Sequence, residues 1–243
     1  MRRSIVVTST SNASDRGFLA LSDLATAAAG TDFRVVGGHM VQLLTYAFPV
    51  AGTTTRATVD ADAGVDRPTA AGGSLHKAIE GHGYSAASGN QYVRTFDGQE
   101  LSIDILIPRT TSAKTVILGG RGFDPVPGLS LALALPPLEI EAKVALRNQS
   151  SLAFTVPVPT VEAAVVLKVL AWASRKADKD LVDIAALMEI VAAYRSDLDW
   201  SLDQPQLRGE RLDAARAVQL LIGTRRALPV RTRALTQTHI SRP

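Results

Sequence analysis

The sequence lacks cysteine altogether, and it has no long apolar run and no internal repeat. Without cysteine among its 243 residues, the chain cannot form disulfides, thiolate metal sites or a cysteine nucleophile, and a reducing cytoplasm is the expected location. No apolar run approaches the roughly 20 residues that a membrane-spanning helix needs, so we expect no membrane partner. The apolar stretch after the N-terminal arginines soon ends in a polar Thr/Ser/Asn segment, which argues against a signal peptide.

The rest of the composition is that of an ordinary globular protein. Hydrophobic residues make up 46% and charged residues 20%, and the length suits one large domain or two small ones. The net charge is +3, with eight arginines from Arg208 onward against only Glu210 and Asp213. This C-terminal excess fits a polyanionic partner such as RNA, but a solvated terminus explains it equally well.

Hydrophobic periodicity predicts a mixed α/β half followed by a mostly helical half. We expect an α/β (α+β) domain at residues 17–157, with a mixed sheet flanked by helices. A helical domain at 158–225 and a flexible basic tail at 226–243 follow, and residues 1–15 are expected to be disordered. Predicted helices lie at 18–29, 39–48, 74–81, 160–177, 178–194 and 210–223, and predicted strands at 33–36, 56–61, 91–96, 101–107, 129–135 and 152–156.

Three aspartates stand in two segments of alternating apolar residues. Asp60 and Asp62 would point to the same face of a strand, because side chains alternate with a period of two. A neighbouring strand could bring Asp104 onto that face. Carboxylates packed together repel each other unless a cation lies among them. Oxygen ligands favour a hard ion such as Mg²⁺, which commonly also binds substrate phosphates, so the sequence predicts metal-dependent phosphate chemistry.

The order of these segments resembles the DNA polymerase β-type nucleotidyltransferase fold. A strand leads into a Gly-Gly pair and a helix, and an Asp-x-Asp strand and a later strand with a third aspartate follow. The chain resembles more closely the AbiEii/MenT group of nucleotidyltransferase toxins from bacterial toxin–antitoxin systems, over residues 17–195. The residues that carry the resemblance are Val35-Val36-Gly37-Gly38-His39, Arg56-x-Thr58-x-Asp60-x-Asp62, Ile103-Asp104-Ile105, and Lys168, Arg175 and Lys179-Asp180-x-x-Asp183.

The resemblance implies transfer of a nucleoside monophosphate from an NTP, with Mg²⁺ or Mn²⁺ as cofactor. It implies that Asp60, Asp62 and Asp104 are catalytic metal ligands, and that Asp104 also helps to deprotonate the acceptor hydroxyl. It implies a catalytic role for Lys168 on the β- and γ-phosphates. The implied nucleotide-binding residues are Gly37, Gly38, Arg56, Lys168, Arg175 and Asp180, the two glycines letting phosphates approach backbone N–H groups at a helix start.

Several of these residues also have a structural interpretation. Lys168 lies among apolar neighbours and could be a surface lysine whose stem covers apolar area. Arg175 could form an ion pair with Asp183 between helices, and Asp180 could do the same. Arg56 could pin the loop that precedes the metal site rather than touch phosphate.

The segment around the glycine pair departs from the family pattern. Many members of the AbiEii/MenT group carry Gly-Ser where this chain has Gly37-Gly38, which removes a serine contact to phosphate. His39 follows at the start of a helix, where we expect a capped, partly exposed histidine rather than a nucleotide contact.

Three functions remain open from the sequence. The first is an enzyme that adds nucleotides to RNA, at the 3′ end of tRNA, as the toxin of a system with a cognate antitoxin protein. The second is the same chemistry on a small hydroxyl compound, such as an aminoglycoside, or on a protein side chain. The third is a non-catalytic nucleotide- or RNA-binding module, which the intact set of three aspartates argues against.

Overall fold

The computed structural model describes residues 1–226, in which strands and helices alternate before a helical C-terminal half. The strands are β1 (Arg2–Thr8), β2 (Phe33–Val35), β3 (Asp60–Val65), β4 (Ser85–Ser88), β5 (Gln91–Phe96), β6 (Gln99–Pro108), β7 (Val116–Leu118), β8 (Arg121–Phe123), β9 (Pro125–Val126), β10 (Leu138–Ala145) and β11 (Ser151–Val158). The helices are α1 (Asn12–Ala27), α2 (Gly37–Ala47), α3 (Arg67–Ala71), α4 (Ser74–Gly81), α5 (Leu129–Ala134), α6 (Val161–Arg175), α7 (Asp178–Tyr194) and α8 (Gly209–Arg226), with a 3₁₀ turn at Arg195–Asp197. The predicted α/β class is confirmed, whereas the predicted basic tail lies, apart from Arg226, outside the described residues.

The larger sheet is mixed, and its two central strands carry the three aspartates. Its strands follow the order β2–β3–β6–β5–β4, with β3 and β6 parallel and the other pairs antiparallel. The short strand β9 runs parallel to β6 on the same side as β5, because the amides of Ile105 and Ile107 donate to the carbonyls of Asn90 and Asp124. A second sheet has the order β1–β10–β11, and β7 and β8 form a hairpin.

Alternation along the central strands separates a buried face from the face that bears the aspartates. Every second residue of β6 from Leu101 to Ile107 is buried, and α1 packs against β3 and β6. On the opposite face, α5 packs so closely over Gly64 that a Cβ there would lie 2.4 Å from Leu129 Cδ1. Helix α6 contacts α2, α5, α7 and α8, which explains why apolar residues occupy almost every side of it. The face of the sheet that bears the aspartates is therefore covered by α5, which in turn contacts α6 of the helical half.

The N-terminal segment corrects the prediction of disorder at residues 1–15. Strand β1 pairs in parallel with β10 along its whole length, and Ile5 and Val7 are buried in the core. Helix α1 begins earlier than predicted, at Asn12, because the Ser11 hydroxyl accepts a hydrogen bond from the Ser14 amide and caps the helix. The described part of the chain contains no helix that is long and apolar enough to cross a membrane.

The prediction of a strand at residues 129–135 is wrong, since this segment is helix α5. Gly128 enters the helix with φ +89°, a conformation that favours glycine. The carboxylate of Glu210 accepts hydrogen bonds from the amides of Gly128 and Leu131, both at 2.7 Å. An acidic group at a helix N-terminus stabilises the helix. The predicted strand at 56–61 is wrong for most of its length, because the observed strand β3 runs from Asp60 to Val65 and shares only Asp60 and Ala61 with the prediction.

Candidate active site

A cleft of about 400 Å³ lies between the aspartate face of the larger sheet, the start of α2, and helices α6 and α7. Asp60, Asp62 and Asp104 all line it, as do Gly37 and Gly38. Of the remaining predicted site residues, Arg56, Lys168 and Arg175 also line it, whereas Asp180 does not. The cleft thus brings together all the predicted site residues except one.

The three predicted aspartates occupy adjacent positions on two parallel strands. Asp60 and Asp62 share one face of β3, and Asp62 stands directly beside Asp104 in the register of β3 and β6. A fourth aspartate, Asp124, precedes β9 and lines the same cleft. In the described part of the chain, the side chains of these four aspartates form no hydrogen bond and no ion pair. Four carboxylates without a hydrogen-bond or ion-pair partner among the described residues therefore line one cleft.

Burial and mutual repulsion make two of these aspartates hard to ionise. Burial, with a further contribution from Asp60, raises the pKa of Asp62 to about 6, although the Lys168 ammonium opposes the shift. Burial raises the pKa of Asp104 to about 7, with additional repulsion from Asp62, Asp60 and Asp124. A cation among the carboxylates would reverse this effect, because it favours the charged form.

The donor set fits a hard divalent cation. Aspartate oxygens are the ligands that Mg²⁺ takes in phosphate-transfer sites, and these aspartates have no competing partner. Within residues 1–226, no three His, Cys, Asp or Glu side chains are already close enough to hold a metal ion as they stand. Repelling carboxylates are expected to stand apart without a cation, so Asp60, Asp62 and Asp104 are the residues that would hold one.

The glycine pair allows α2 to begin directly against Asp62. Gly37 has φ +64°, and a Cβ there would lie 1.7 Å from Asp62 Oδ2. A Cβ on Gly38 would lie 2.8 Å from Arg56 Nη2 and from Thr58 Oγ1. The helix has no side-chain cap at its N-terminus, so its first amides, which have no partner within the helix, are available to an anion. A helix start beside the aspartates is suited to bind phosphate next to a metal site.

His39 lies in the core and supports the start of β3, which corrects the expectation of a partly exposed histidine. Its side chain is 1% exposed. Its Nδ1–H donates a 3.0 Å hydrogen bond to the Asp60 carbonyl, since a carbonyl only accepts. Burial lowers the pKa of His39 to about 4, so the ring is neutral. Gly17 of α1 leaves room for it, because a Cβ there would lie 2.8 Å from His39 Nε2.

The helix side of the cleft is built on one buried carboxylate, Asp183. Lys168 Nζ lies 2.7 Å from Asp183 Oδ2, and Arg56 donates to both oxygens at 3.1 and 3.2 Å. Lys168 is 4% exposed, so the alternative of a surface lysine is wrong. Burial lowers the pKa of Lys168, and Asp183 opposes this by favouring the charged form. Asp183 therefore holds two cations at the wall of the cleft.

Asp180 has a different partner. Arg175 donates to its two oxygens at 2.6 and 2.5 Å, and Asp180 is fully buried. The hydrogen bonds that Arg175 donates to Asp180 are the main reason that the pKa of Arg175 is raised. The suggested ion pair of Arg175 with Asp183 is therefore wrong, because Arg175 pairs with Asp180 and Asp183 pairs with Arg56 and Lys168.

Two residues at the rim escaped the sequence reasoning. Arg109 and Asp124 line the cleft but lie in a segment that the sequence presents as irregular. Arg109 Nε donates to the carbonyl of Pro125 at 3.3 Å, and the backbone of Arg109 pairs with Val126. Arg109 and Lys179 are exposed and, within the described residues, form no ion pair. The only feature of the sequence that could have pointed to Asp124 is its position directly before β9. A strand of two residues can be recognised only once its pairing with β6 is known.

Comparison with known proteins gives distant likenesses to solved structures. The chain matches no protein-family model and no curated protein. It is similar to an antigenic nucleotidyltransferase-like protein from Paracoccidioides brasiliensis, with a TM-score of 0.49 and 16% identity over 88% of this chain and 90% of the other. The antibiotic-resistance factor ANT(2'')-Ia gives a TM-score of 0.41 and 10% identity over 88% and 96%. JHP933 from Helicobacter pylori gives 0.26 and 10% over 89% and 94%. The functional assignment therefore rests on the cleft itself.

Proposed function

We propose that the protein is a metal-dependent nucleotidyltransferase. The observation that carries this proposal is the set of unpartnered aspartates beside an uncapped helix start and a cationic wall. Such a cleft can bind a divalent cation and a triphosphate together. The reaction is attack of a hydroxyl oxygen on the α-phosphorus of an NTP, with cleavage of the bond to the bridging oxygen and release of pyrophosphate.

The chain contributes four functions to this reaction. Asp60, Asp62 and Asp104 hold the metal, which when bound stabilises charge on the attacking and leaving oxygens. The amides of Gly37 and Gly38 and the ammonium of Lys168 bind the phosphates that leave. Asp104, which stands beside Asp62 on the neighbouring strand, accepts the proton of the attacking hydroxyl. Arg56 and Arg175 fix the wall of the cleft and add positive charge to it.

For the acceptor, we propose RNA, and specifically the 3′ end of tRNA. The support is the resemblance to the AbiEii/MenT toxins, the unpaired cations Arg109 and Lys179 at the rim, and the arginine-rich C-terminal sequence. Exposed cations bind nucleic-acid phosphates without reading sequence. On this proposal the protein is a toxin that blocks translation, and a cognate antitoxin is its protein partner.

A second acceptor class is supported by one observation. The rim carries a carboxylate, Asp124, which would also attract a cationic hydroxyl compound such as an aminoglycoside. A small molecule or a protein hydroxyl is therefore the alternative. A non-catalytic binding module is disfavoured, because binding alone does not require three aspartates to face each other at a cost in repulsion.

A transfer assay tests the proposal. Protein, Mg²⁺ and each of four α-labelled NTPs are incubated with total tRNA, and the Asp60→Asn/Asp62→Asn double variant is compared with Asp213→Asn, an exposed aspartate on α8. We expect labelled tRNA from the unmodified protein and from Asp213→Asn, and none from the double variant. Equal labelling by the double variant would refute the metal-site assignment. Label on an added aminoglycoside or on protein, but not on tRNA, would favour the second acceptor class.

A further inference from the structure

We propose that the acceptor binds along the strip formed by β6 and β9, and that Asp124 recognises a hydroxyl adjacent to the one that reacts. Arg109 binds an anionic group of the same acceptor. This inference rests on the proposed nucleotidyl transfer and names the acceptor side of that site. The chemical class that matches is a sugar with two neighbouring hydroxyls and a phosphate, as at the ribose 3′ end of RNA.

The direction of the reaction separates the cleft into two sides. In an in-line displacement, the attacking oxygen and the leaving pyrophosphate lie on opposite sides of the α-phosphorus. The groups suited to pyrophosphate, which are the start of α2 and Lys168, adjoin Asp62, as shown by the contact at Gly37 and by the influence of Lys168 on Asp62. The acceptor must then approach from the other side of Asp104, where β9 joins the sheet.

Strand register places the rim residues on that side. Asp62 lies beside Asp104 on β3, whereas β9 runs along the opposite edge of β6, with Ile107 beside Pro125. Asp124, one position earlier, therefore stands beside Leu106, the next residue after Asp104 on the same face. Asp124, Pro125 and Val126 all line the cleft. Asp104 lies between Asp62 of β3 and Gln91 of β5, and Asp124 lies further along the same edge of β6, beside Leu106.

The chemistry of the two rim residues matches one end of a nucleic acid. An ionised carboxylate only accepts hydrogen bonds, and Asp124 has no donor within the described residues, so a hydroxyl of the acceptor can supply one. Arg109 is held at its Nε by the Pro125 carbonyl, which leaves the outer edge of the guanidinium for an anion. A 2′-hydroxyl next to the reacting 3′-hydroxyl, with the phosphate of the same nucleotide, meets both requirements, and it distinguishes RNA from DNA.

Kinetics with two matched acceptors test this inference. The probes are tRNA that ends in adenosine and the same tRNA ending in 2′-deoxyadenosine, with unmodified protein, Asp124→Ala, Asp124→Asn, Arg109→Gln and the control Asp213→Asn. We expect Asp124→Ala to raise KM for the ribose end about 10-fold, the factor for one hydrogen bond to a charged group, and to leave the deoxy end unchanged. Asp124→Asn should retain part of the preference, because its carbonyl oxygen still accepts. Arg109→Gln should weaken both ends equally and flatten the salt dependence.

Three outcomes would overturn the inference. The first is that Asp124→Ala raises KM equally for the ribose end and the deoxy end. The second is that Asp124→Ala changes KM for NTP or the Mg²⁺ requirement, which would assign Asp124 to the nucleotide side. The third outcome comes from a binding measurement with the same two tRNAs in the presence of a non-hydrolysable NTP analogue. The inference fails if unmodified protein and Asp124→Ala bind the two tRNAs with the same affinity. Because binding does not need turnover, it decides this inference even where absent transfer refutes the proposed function.

Discussion

The sheet side and the helix side of the cleft both carry aspartates, but only those of the helix side have partners. On the sheet, Asp60, Asp62 and Asp104 face the cleft with no hydrogen bond or ion pair in the described part of the chain. On the helices, Asp180 is 0% exposed and Asp183 is 2% exposed, and each accepts from an arginine. The same residue type thus serves two different purposes within one cleft.

The difference follows from the cost of burying charge. A buried carboxylate is tolerated when cations and donors compensate it, which describes Asp183 with Lys168 and Arg56. The sheet carboxylates accept no hydrogen bond and form no ion pair in the described part of the chain, and burial and repulsion raise the pKa of Asp104 to about 7, although the Lys168 ammonium opposes the corresponding shift at Asp62. On the proposed function, a divalent cation would supply the partner that these carboxylates lack. The aspartates of the helix side are therefore satisfied within the protein, whereas those of the sheet side are the ones that our proposal assigns to the metal.

The largest expected effect is on stability, from breaking the helix side. Asp183→Ala leaves the buried Lys168 ammonium without its partner and releases Arg56, so we expect the free energy of unfolding to fall by about 3–5 kcal/mol. Urea unfolding followed by circular dichroism measures it. The matched control is Asp203→Ala, which removes an exposed pair with Arg195 and should cost less than about 1 kcal/mol. Equal losses in the two variants would contradict the distinction between the two sides.

Breaking the sheet side should affect activity and spare stability. Asp62→Asn keeps the shape of the side chain but removes a metal ligand, so we expect transfer to fall by at least about 100-fold, the upper range for losing a residue that only supports a ligand. Its free energy of unfolding without metal should be unchanged or higher, because a repelling charge is gone. A destabilisation like that of Asp183→Ala would show that Asp62 is structural after all.

The contrast also separates what the sequence could predict from what it could not. Asp60, Asp62 and Asp104 come together by the period-two alternation of strands, a local rule that can be applied to each segment. Only the parallel pairing of β3 and β6 had to be assumed. Their catalytic and metal-binding roles, like those of Lys168 and the glycine pair, stay predictions.

Features that depend on distant partners escaped prediction. The partner of Lys168 is set by how α6 packs on α7, so the sequence offered a phosphate contact or a surface position and did not predict the ion pair with Asp183. The apolar run that forms α5 suits a strand as well as a helix, and a carboxylate about 80 positions away decides it, since Glu210 caps the helix. Asp124 became visible only when β9, two residues long, was paired with β6.

A smaller effect should come from Gly37, the glycine at the start of α2 that lies against Asp62. Gly37→Ala places a side chain at φ +64° and pushes a Cβ against the Asp62 carboxylate. A left-handed alanine costs about 1–2 kcal/mol, and displacement of Asp62 should in addition weaken Mg²⁺-dependent transfer. Gly52→Ala is the control, because Gly52 has φ +84° and a Cβ added there would have nothing within 4 Å. This variant should therefore lose only the stability that the left-handed backbone conformation costs an alanine. If the two variants transfer equally well, the close contact with Asp62 has no functional weight.

The smallest effect is the contribution of Asp104, on the sheet side, to the pH dependence of stability. The pKa of Asp104 is about 7 in the folded protein, against 3.8 ordinarily, so its protonated form is favoured by folding. That contribution is fully present below pH 3.8 and is lost as the pH rises through about 7.

Since one pKa unit corresponds to about 1.4 kcal/mol and Asp104 is partly exposed to solvent, which screens the effect, we expect Asp104→Asn to be more stable than unmodified protein by about 1 kcal/mol at pH 8 in EDTA. Below pH 4 the two should be equally stable. Thermal unfolding at both pH values measures this difference, and Mg²⁺ should narrow it at pH 8 by stabilising the unmodified protein more strongly. A difference that is the same at pH 4 and pH 8 would mean that the Asp104 carboxylate is compensated inside the protein, as Asp183 is, and that the two sides of the cleft do not differ in kind.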